Sequence, residues 1–471
     1  MKALFVFILH FCIGLYFIFF GGFTFVREWD WFWQHIPLKY LLSEPLKNIF
    51  YMHAQPPLHN FFYAFLIKLF YPDQDTAFKI FQSAAGALMT AVMFYIINDS
   101  IKNKLIKIIA ILAVVLNPAV FLFESYPMYS LNSAFLIVLT FLAFYLFEKK
   151  GRNSVVLITL FFITLNFLLL YRSVFHIFFL FVCCIFVYFA ADRKILLKII
   201  IISILTALPV FAWNMKNYYL YGFFGSSSWL GLNLNKCITS VMPRYEKKYI
   251  YSSLKLNPAV MEMQHFYNPV SSYAKYGFNK HSNIPFLNDD NWHNINVPDI
   301  SSLYFIETKK IIFHLPKRYF KTCIRSFELF SHPPYTYAHL NNNKILMGVY
   351  PIIYNNFFFP DNFLLKKIFN TDIYPVLFLM PLISFGFYVF YFIKSQKKIP
   401  KPENFYSLIY LSLLLLYYFI VSNMLEYGEN NRFKFTIEPL IYLYFFMLLD
   451  KFYTNNTIDK CNNKKIKNQK N

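Results

Sequence analysis

Residues 56–70 read PPLHNFFYAFLIKLF, an apolar stretch interrupted by Lys68 and short of the roughly 17 to 25 residues that a bilayer asks for. Whether it spans decides the topology of everything after it. Upstream, Lys2 precedes an apolar run at 3–26 with no small-residue cleavage site. That run is longer than the roughly 7 to 15 residues of a signal-peptide core and reads as a retained first span. Downstream, runs of spanning length lie near 77–97, 105–123, 131–147, 154–171, 174–190, 195–213, 374–393, 404–422 and 433–450, about ten in all. With 56–70 kept on the surface, Lys102, Lys104 and Lys107, then Lys149, Lys150 and Arg152, then Arg193, Lys194 and Lys198 fall on the side of Lys2. Lys394, Lys397, Lys398 and Lys401 join them, as does the tail with Lys451, Lys460 and Lys464. Counting the segment as a span would put all these loops outside, against the positive-inside rule. The sequence therefore predicts an all-α polytopic membrane protein with both termini cytoplasmic and an interfacial helix at 56–70 on the outer face.

Composition agrees. Of 471 residues, 57% are hydrophobic, 22% aromatic and only 15% charged, well below the about 25% charged residues of a soluble domain. The net charge of +21 excludes little by itself. In so apolar a chain it points to lysine loops held against anionic headgroups and away from nucleic acid. The aromatic content partly follows the bias toward Phe, Ile, Asn, Lys and Tyr that AT-rich codons produce. Four parts follow: a membrane module at 1–213 with a first outer loop at 27–75, a large outer loop at 214–373, C-terminal spans at 374–450, and a basic tail at 451–471, whose end CNNKKIKNQKN at 461–471 composition reads as unstructured. No internal repeat and no separate soluble domain stand out. Residues 306–330, with helical spacing broken at Pro316, predict two short amphipathic helices on the membrane surface. Cys237 and Cys323 share the outer side and are positioned to pair or to stay free; no Cys/His spacing reads as a zinc site.

Polar residues of interest gather at the outer ends of spans. VREWDWFWQHIP at 26–37 sets Glu28 and Asp30 among Trp29, Trp31 and Trp33. Tryptophans belong at a lipid interface, but carboxylates there need a partner or a task. Asp30 either caps a short surface helix or does chemistry. YMHAQPPLHN at 51–60 places His53 and Gln55 beside that loop. Glu124, in NPAVFLFESYPMYSLN, is either a solvated turn carboxylate or a site residue near an acceptor or metal. Arg172, positive on the disfavoured side, asks for an anionic ligand or an ion pair with Glu124 or Asp30. In EYGENNRFKFTIEP at 426–439, Arg432 and Lys434 are placed to clamp a phosphate or to snorkel to headgroups.

Taken together, the acidic first outer loop, the H-x-Q-P-P-L segment, the N-P-A turn with its acidic residue and the E-N-N-R-F-K-F stretch resemble the GT-C membrane glycosyltransferases. The nearest branch is that of protein O-mannosyltransferases and the lipid A aminoarabinose transferase, and the likeness covers most of the spans. Residues 213–234, WNMKNYYLYGFFGSSSWLGLNL, look like a subset of bacterial members without a defined product. The resemblance implies a sugar donor on a polyprenyl phosphate, an acceptor that is lipid, glycan or protein, an inverting transfer outside the inner membrane, and an aspartate base, by position Asp30, with Glu28 second. Two departures stand out: Trp29 separates the two carboxylates, and Gln55 stands where the aminoarabinose branch has lysine. These shift the phosphate contact toward Arg172, Arg432 and Lys434. Such a donor carries its own leaving group, so one carboxylate suffices, unlike glycoside hydrolysis with two. Glu28, Asp30 and Glu124 also offer oxygen ligands to a divalent cation such as Mg or Mn. Two rival classes remain: an O-antigen ligase or polymerase, with its chemistry in the long loop, and a lipid-linked sugar flippase or transporter, with ionisable residues deep in the spans.

Overall fold

In the computed structural model, residues 1–262, 270–278, 293–294, 296–358, 386 and 404–468 are described, and among them the regular structure is helical throughout. The expected span at 374–393 and the basic loop at 394–401 lie outside the described residues. Among the described residues, six helices are long and apolar enough to cross a membrane: Lys2–Phe19, Gln74–Ser100, Lys104–Glu124, Ser130–Lys149, Arg193–Tyr221 and Phe405–Met424. Leu58–Phe70, Val155–Tyr171 and Ile177–Ala190 are shorter apolar helices.

In chain order, α1 (Lys2–Phe19) leads to three short helices, α2 (Leu38–Ser43), α3 (Pro45–Tyr51) and α4 (Leu58–Phe70). α5 (Gln74–Ser100), α6 (Lys104–Val115), α7 (Pro118–Glu124), α8 (Ser130–Lys149), α9 (Val155–Tyr171), α10 (Ile177–Ala190) and α11 (Leu196–Tyr221) follow. The first helix stops at Phe19, short of the expected residue 26, because Gly21 and Gly22 follow and Gly22 takes the left-handed φ of +73°. The 105–123 run is one pass in two pieces. Pro118 cannot donate into the helix, so the chain breaks and restarts with the Asn117 side chain accepting from the Ala119 N–H.

α8 forms the centre of the bundle, packed on α5 and α9, with its buried Ile137, Phe141 and Phe144 surrounded on several sides. α1 and α11 stay at the rim, and α11 shows Leu197, Ile201, Ile204, Leu205 and Leu208 on its surface. A face so apolar and so long would be a liability in water and suits hydrocarbon.

The two ends of the bundle differ. At one end, Asp450 accepts from the Lys102 and Asn103 N–H groups at 3.1 and 2.7 Å, and Glu148 accepts from the Tyr406 and Ser407 N–H groups at 2.9 and 2.7 Å. Lys149 pairs with Asp99 there. The chain segments that carry Lys102, Lys149 and Asp450 thus meet at one end of the bundle. The opposite end carries α2 to α4 and the long segment after α11. That segment contains α12 (Leu230–Thr239), α13 (Arg244–Ser253), α14 (Ala259–Glu262), α15 (Val297–His314), α16 (Pro316–Ser331), α17 (Asn341–Leu346) and α18 (Tyr350–Phe358). It builds an apolar core of its own around Leu232, Ile238, Ile250, Ile300 and Tyr304. Sequence patterning showed no such unit, because its elements are short and interrupted. α16 begins at Pro316, where the break was expected.

Two helices close the bundle: α19 (Phe405–Met424) and α20 (Asn430–Asn468). α20 starts three residues before the expected span and runs into the tail end at 461–471 that composition read as unstructured. Cys237 on α12 and Cys323 on α16 remain free thiols on neighbouring helices.

Candidate functional site

Where the helices end opposite the basic loops, a cavity of about 980 Å³ opens. Its walls come from the first outer loop (Trp31, Trp33, Gln34), the α7–α8 turn (Tyr126, Tyr129), the α9–α10 turn (Arg172, Ser173) and the serine run Ser226, Ser227 and Ser228. Lys236 on α12, His339, and Glu426, Glu429 and Arg432 around the α19–α20 turn complete it. Phe178, Phe224 and Ile306 line it and are also exposed on the surface.

Two guanidinium groups dominate this space. Arg172 and Arg432 are 1% and 2% exposed. Arg172 ends α9, where the chain turns extended, and Arg432 sits in the first turn of α20. Both lie against the Phe433 ring, with guanidinium carbons 4.7 and 5.1 Å from its centre, and against Tyr129 at 5.1 and 5.6 Å. Arg172 donates one bond to the Thr436 hydroxyl, and Arg432 donates from Nη2 to Glu429 at 2.6 Å. Among the described residues, Nε and Nη2 of Arg172 and Nε and Nη1 of Arg432 have no hydrogen-bond partner. Buried charged donors are rarely left so, because each unmade bond costs on the order of 1–3 kcal/mol. Aromatic faces hold the two forks in position. A bound anion with several oxygens would satisfy both.

Two carboxylates share the cavity. Glu426 is tied to Lys236 at 2.7 Å. Glu429, 31% exposed, is held between Arg432 Nη2 and the Tyr337 hydroxyl, each at 2.6 Å. Burial pushes the Glu429 carboxyl up, but Arg432, Lys236 and the Tyr337 bond outweigh it and hold the group at about 2.

The expected site residues divide. Arg172, Arg432 and Gln55 meet at the cavity, and Gln55 accepts from the Ser173 hydroxyl at 3.0 Å. Lys434 does not join Arg432: two positions apart on a helix means nearly opposite faces. Its ammonium turns to the Ser331 and His332 carbonyls at 3.3 and 3.4 Å and to Glu438 at 3.8 Å. Asp30 is exposed and accepts from the Leu38 N–H at 2.7 Å, at the start of α2; the cavity is lined by its neighbour Trp31 instead. Glu28 is exposed on the same loop. Glu124 is neither a solvated turn residue nor a cavity residue. It is 2% exposed inside the bundle and bound to His10 of α1 at 2.9 Å, so it is no partner for Arg172. Glu28, Asp30 and Glu124 therefore do not assemble the proposed cation site. Among the described residues, no three His, Cys, Asp or Glu side chains come together as a metal site.

His53 lies behind the cavity wall. It donates from Nε2 to the His293 and Asn294 carbonyls at 3.0 and 3.1 Å, which leaves Nδ1 to accept from the Ser228 hydroxyl at 2.9 Å. His293 donates to the His35 carbonyl at 2.9 Å, and His59 faces His35 at 3.2 Å. Burial drives these imidazoles toward the neutral form, His53 and His59 to about 3 and His293 to about 4. They stitch the first loop to the long segment. Trp29, stacked between His35 and Tyr63 with ring centres 3.6 and 3.5 Å away, is the centre of the first loop's own core.

Sequence reasoning passed over Glu429, Glu426, Lys236 and His339. Only Glu429 carried a signal, as the acid three positions before Arg432 on a helix start. Comparison with known protein families, with curated proteins and with solved structures finds no match for this chain.

Proposed function

We propose that this protein transfers a sugar from a polyprenyl phosphate to an acceptor hydroxyl at the extracytoplasmic face of a bacterial inner membrane. The observation that carries this reading is the pair Arg172 and Arg432, each buried, each with two unpartnered donor atoms, lining one cavity at the end of an apolar bundle. A phosphodiester seated there gains charge-assisted bonds in a dry site. The exposed Phe178, Phe224 and Ile306 offer its isoprenoid tail an apolar way out, Phe178 being in the first turn of α10. Trp31, Trp33 and the serine run face the space where a sugar and its acceptor would lie. The acceptor oxygen attacks the anomeric carbon, the bond to the phosphate oxygen breaks with its electron pair leaving on the phosphate, and a carboxylate takes the hydroxyl proton. Attack opposite the leaving group inverts the anomeric centre.

A transport reading draws on charges inside the bundle, such as His10 with Glu124. That pair lies outside the cavity lining, which weakens it as a path.

The test uses the purified protein in nanodiscs and a prenyl phosphodiester as probe, read by quenching of Trp31, Trp33 and Trp229, which line the cavity. Arg172→Met and Arg432→Met are each expected to weaken binding at least about a hundredfold, and Arg→Lys variants to restore little, since a lysine lacks the fork. Mass spectrometry of envelope glycans and glycolipids from a deletion strain then identifies the sugar. Unchanged probe affinity in both methionine variants would sink the proposal.

A further inference from the structure

The geometry points to Glu429, and not Asp30, as the carboxylate that takes the acceptor's proton, with its basicity set by the phosphate on the arginine pair; this rests on the glycosyl-transfer reading above. Three carboxylates compete for the role. Asp30 has an oxygen committed to the backbone of α2 and does not line the cavity. Glu426 lines the cavity but is 8% exposed and closed off by Lys236. Glu429 faces the cavity, keeps part of its surface open, and belongs to the same turn as the phosphate-seating Arg432.

Charges facing Glu429 come from each element around it. Arg432 lies on its own turn, Arg172 at the end of α9, Lys236 on α12, Tyr337 and His339 on the segment before α17, and Tyr126 on the α7–α8 turn. Lys236 is balanced by Glu426. The remaining two guanidiniums and one carboxylate leave one positive charge, and with nothing else bound Glu429 is the counter-ion of Arg432. In that state it is a poor base. A phosphodiester brings one negative charge onto the unpartnered N–H groups, neutralises the set and places a like charge near Glu429. Both effects raise the carboxylate's affinity for a proton. The base therefore gains strength when the donor is seated. In the step itself, the acceptor O–H proton passes to Glu429 as the new C–O bond forms and the phosphate leaves; that proton is then released to the phosphate monoester or to water.

Glu429→Gln keeps oxygen and amide groups for Arg432 and Tyr337 and removes one negative charge opposite the incoming phosphate. The expected result is prenyl phosphodiester affinity that is unchanged or up to about tenfold tighter, with at least about a hundredfold loss of the glycan or glycolipid that the deletion strain lacks. Glu429→Asp is expected to restore part of that product, and Asp30→Asn, still able to accept from Leu38, to make it at the wild-type level. Wild-type product from Glu429→Gln overturns the assignment. So does weakened probe binding in step with product, which would make Glu429 only a support for Arg432. Loss of product in Asp30→Asn with probe binding intact gives the role back to Asp30. No probe binding by the wild-type protein, together with an unaltered envelope in the deletion strain, removes the glycosyl-transfer reading and this inference with it.

Discussion

Two places in this molecule bury charge, and they do so in opposite ways. Inside the bundle, Glu124 meets His10 at 2.9 Å, and Glu438 stands between Lys434 and the Asn117 amide, 2.9 Å from the latter. At the cavity, Arg432 pairs with Glu429, Arg172 bonds only the Thr436 hydroxyl, and among the described residues the two leave four donor atoms unused. Burial alone does not mark a site, since Glu124, Lys434 and Glu438 are as nearly buried as Arg172 and Arg432. The unanswered hydrogen-bonding capacity is what sets the cavity apart as a candidate site from charges that serve the fold.

The largest effect that tests this contrast is a swap of the same substitution between the two regions. Lys434→Met strands the Glu438 carboxylate, and breaking a buried pair from one side costs on the order of 3–5 kcal/mol. Arg172→Met removes a charge that has no acidic partner of its own and leaves only Thr436 without a donor. Its stability is expected to hold or rise. Thermal unfolding of both variants in the same nanodiscs checks this; equal losses would erase the distinction between the regions.

A third treatment of buried ionisable groups is to keep them neutral, as in the histidine stitches of the first outer loop. His53, His59 and His293 have folded values of about 3, 3 and 4, below their ordinary value near 6.5. The unfolded chain binds more protons between those values, so their contribution is complete above about pH 6.5 and falls away as the solution is acidified. By pH 5 each imidazole is expected to have lost about 2 kcal/mol, since each pH unit below 6.5 is worth about 1.4 kcal/mol. Unfolding midpoints measured from pH 7.5 to 5 should fall. Replacing His53 with Gln should flatten the slope by about one proton.

Much of this arrangement was legible in the sequence. Hydropathy located α5, α8, α11 and α19, because that signal is local and does not depend on contacts. The break at Pro118 falls inside the run expected as one span at 105–123. The role of Glu124 was not legible, since its partner His10 lies 114 positions away. Arg432 and Lys434 read as a pair because the helix was expected to begin after Arg432; with α20 starting at Asn430, the helical period sends the two to different faces. Arg172 stood out for a physical reason: on the expected topology it is a lone positive charge on the disfavoured side, and it does line the cavity.

A smaller effect probes the tightness of the interior pair. A Cβ at Gly86 would lie 2.5 Å from a Glu124 oxygen, which His10 holds in place. Gly86→Ala is expected to cost about 1–3 kcal/mol through this overlap, seen as a lower unfolding midpoint with unaltered probe binding.

The smallest effect belongs to Asp30, and it bears most directly on the comparison. An exposed carboxylate that accepts from the Leu38 N–H behaves as a helix cap, whose loss costs about 1 kcal/mol. In Asp30→Ala that loss should stay local, as faster hydrogen exchange across α2, because α2 is one short helix packed in the Trp29 core and none of its residues lines the cavity. Asp30→Asn should change exchange less, since the amide oxygen can still accept. Probe affinity should be the same in both, because neither alters the groups that face the arginines. A marked loss of affinity in Asp30→Ala, with exchange elsewhere undisturbed, would mean that this carboxylate acts on the cavity after all, and the line drawn between satisfied and unsatisfied charge would have to be redrawn around it.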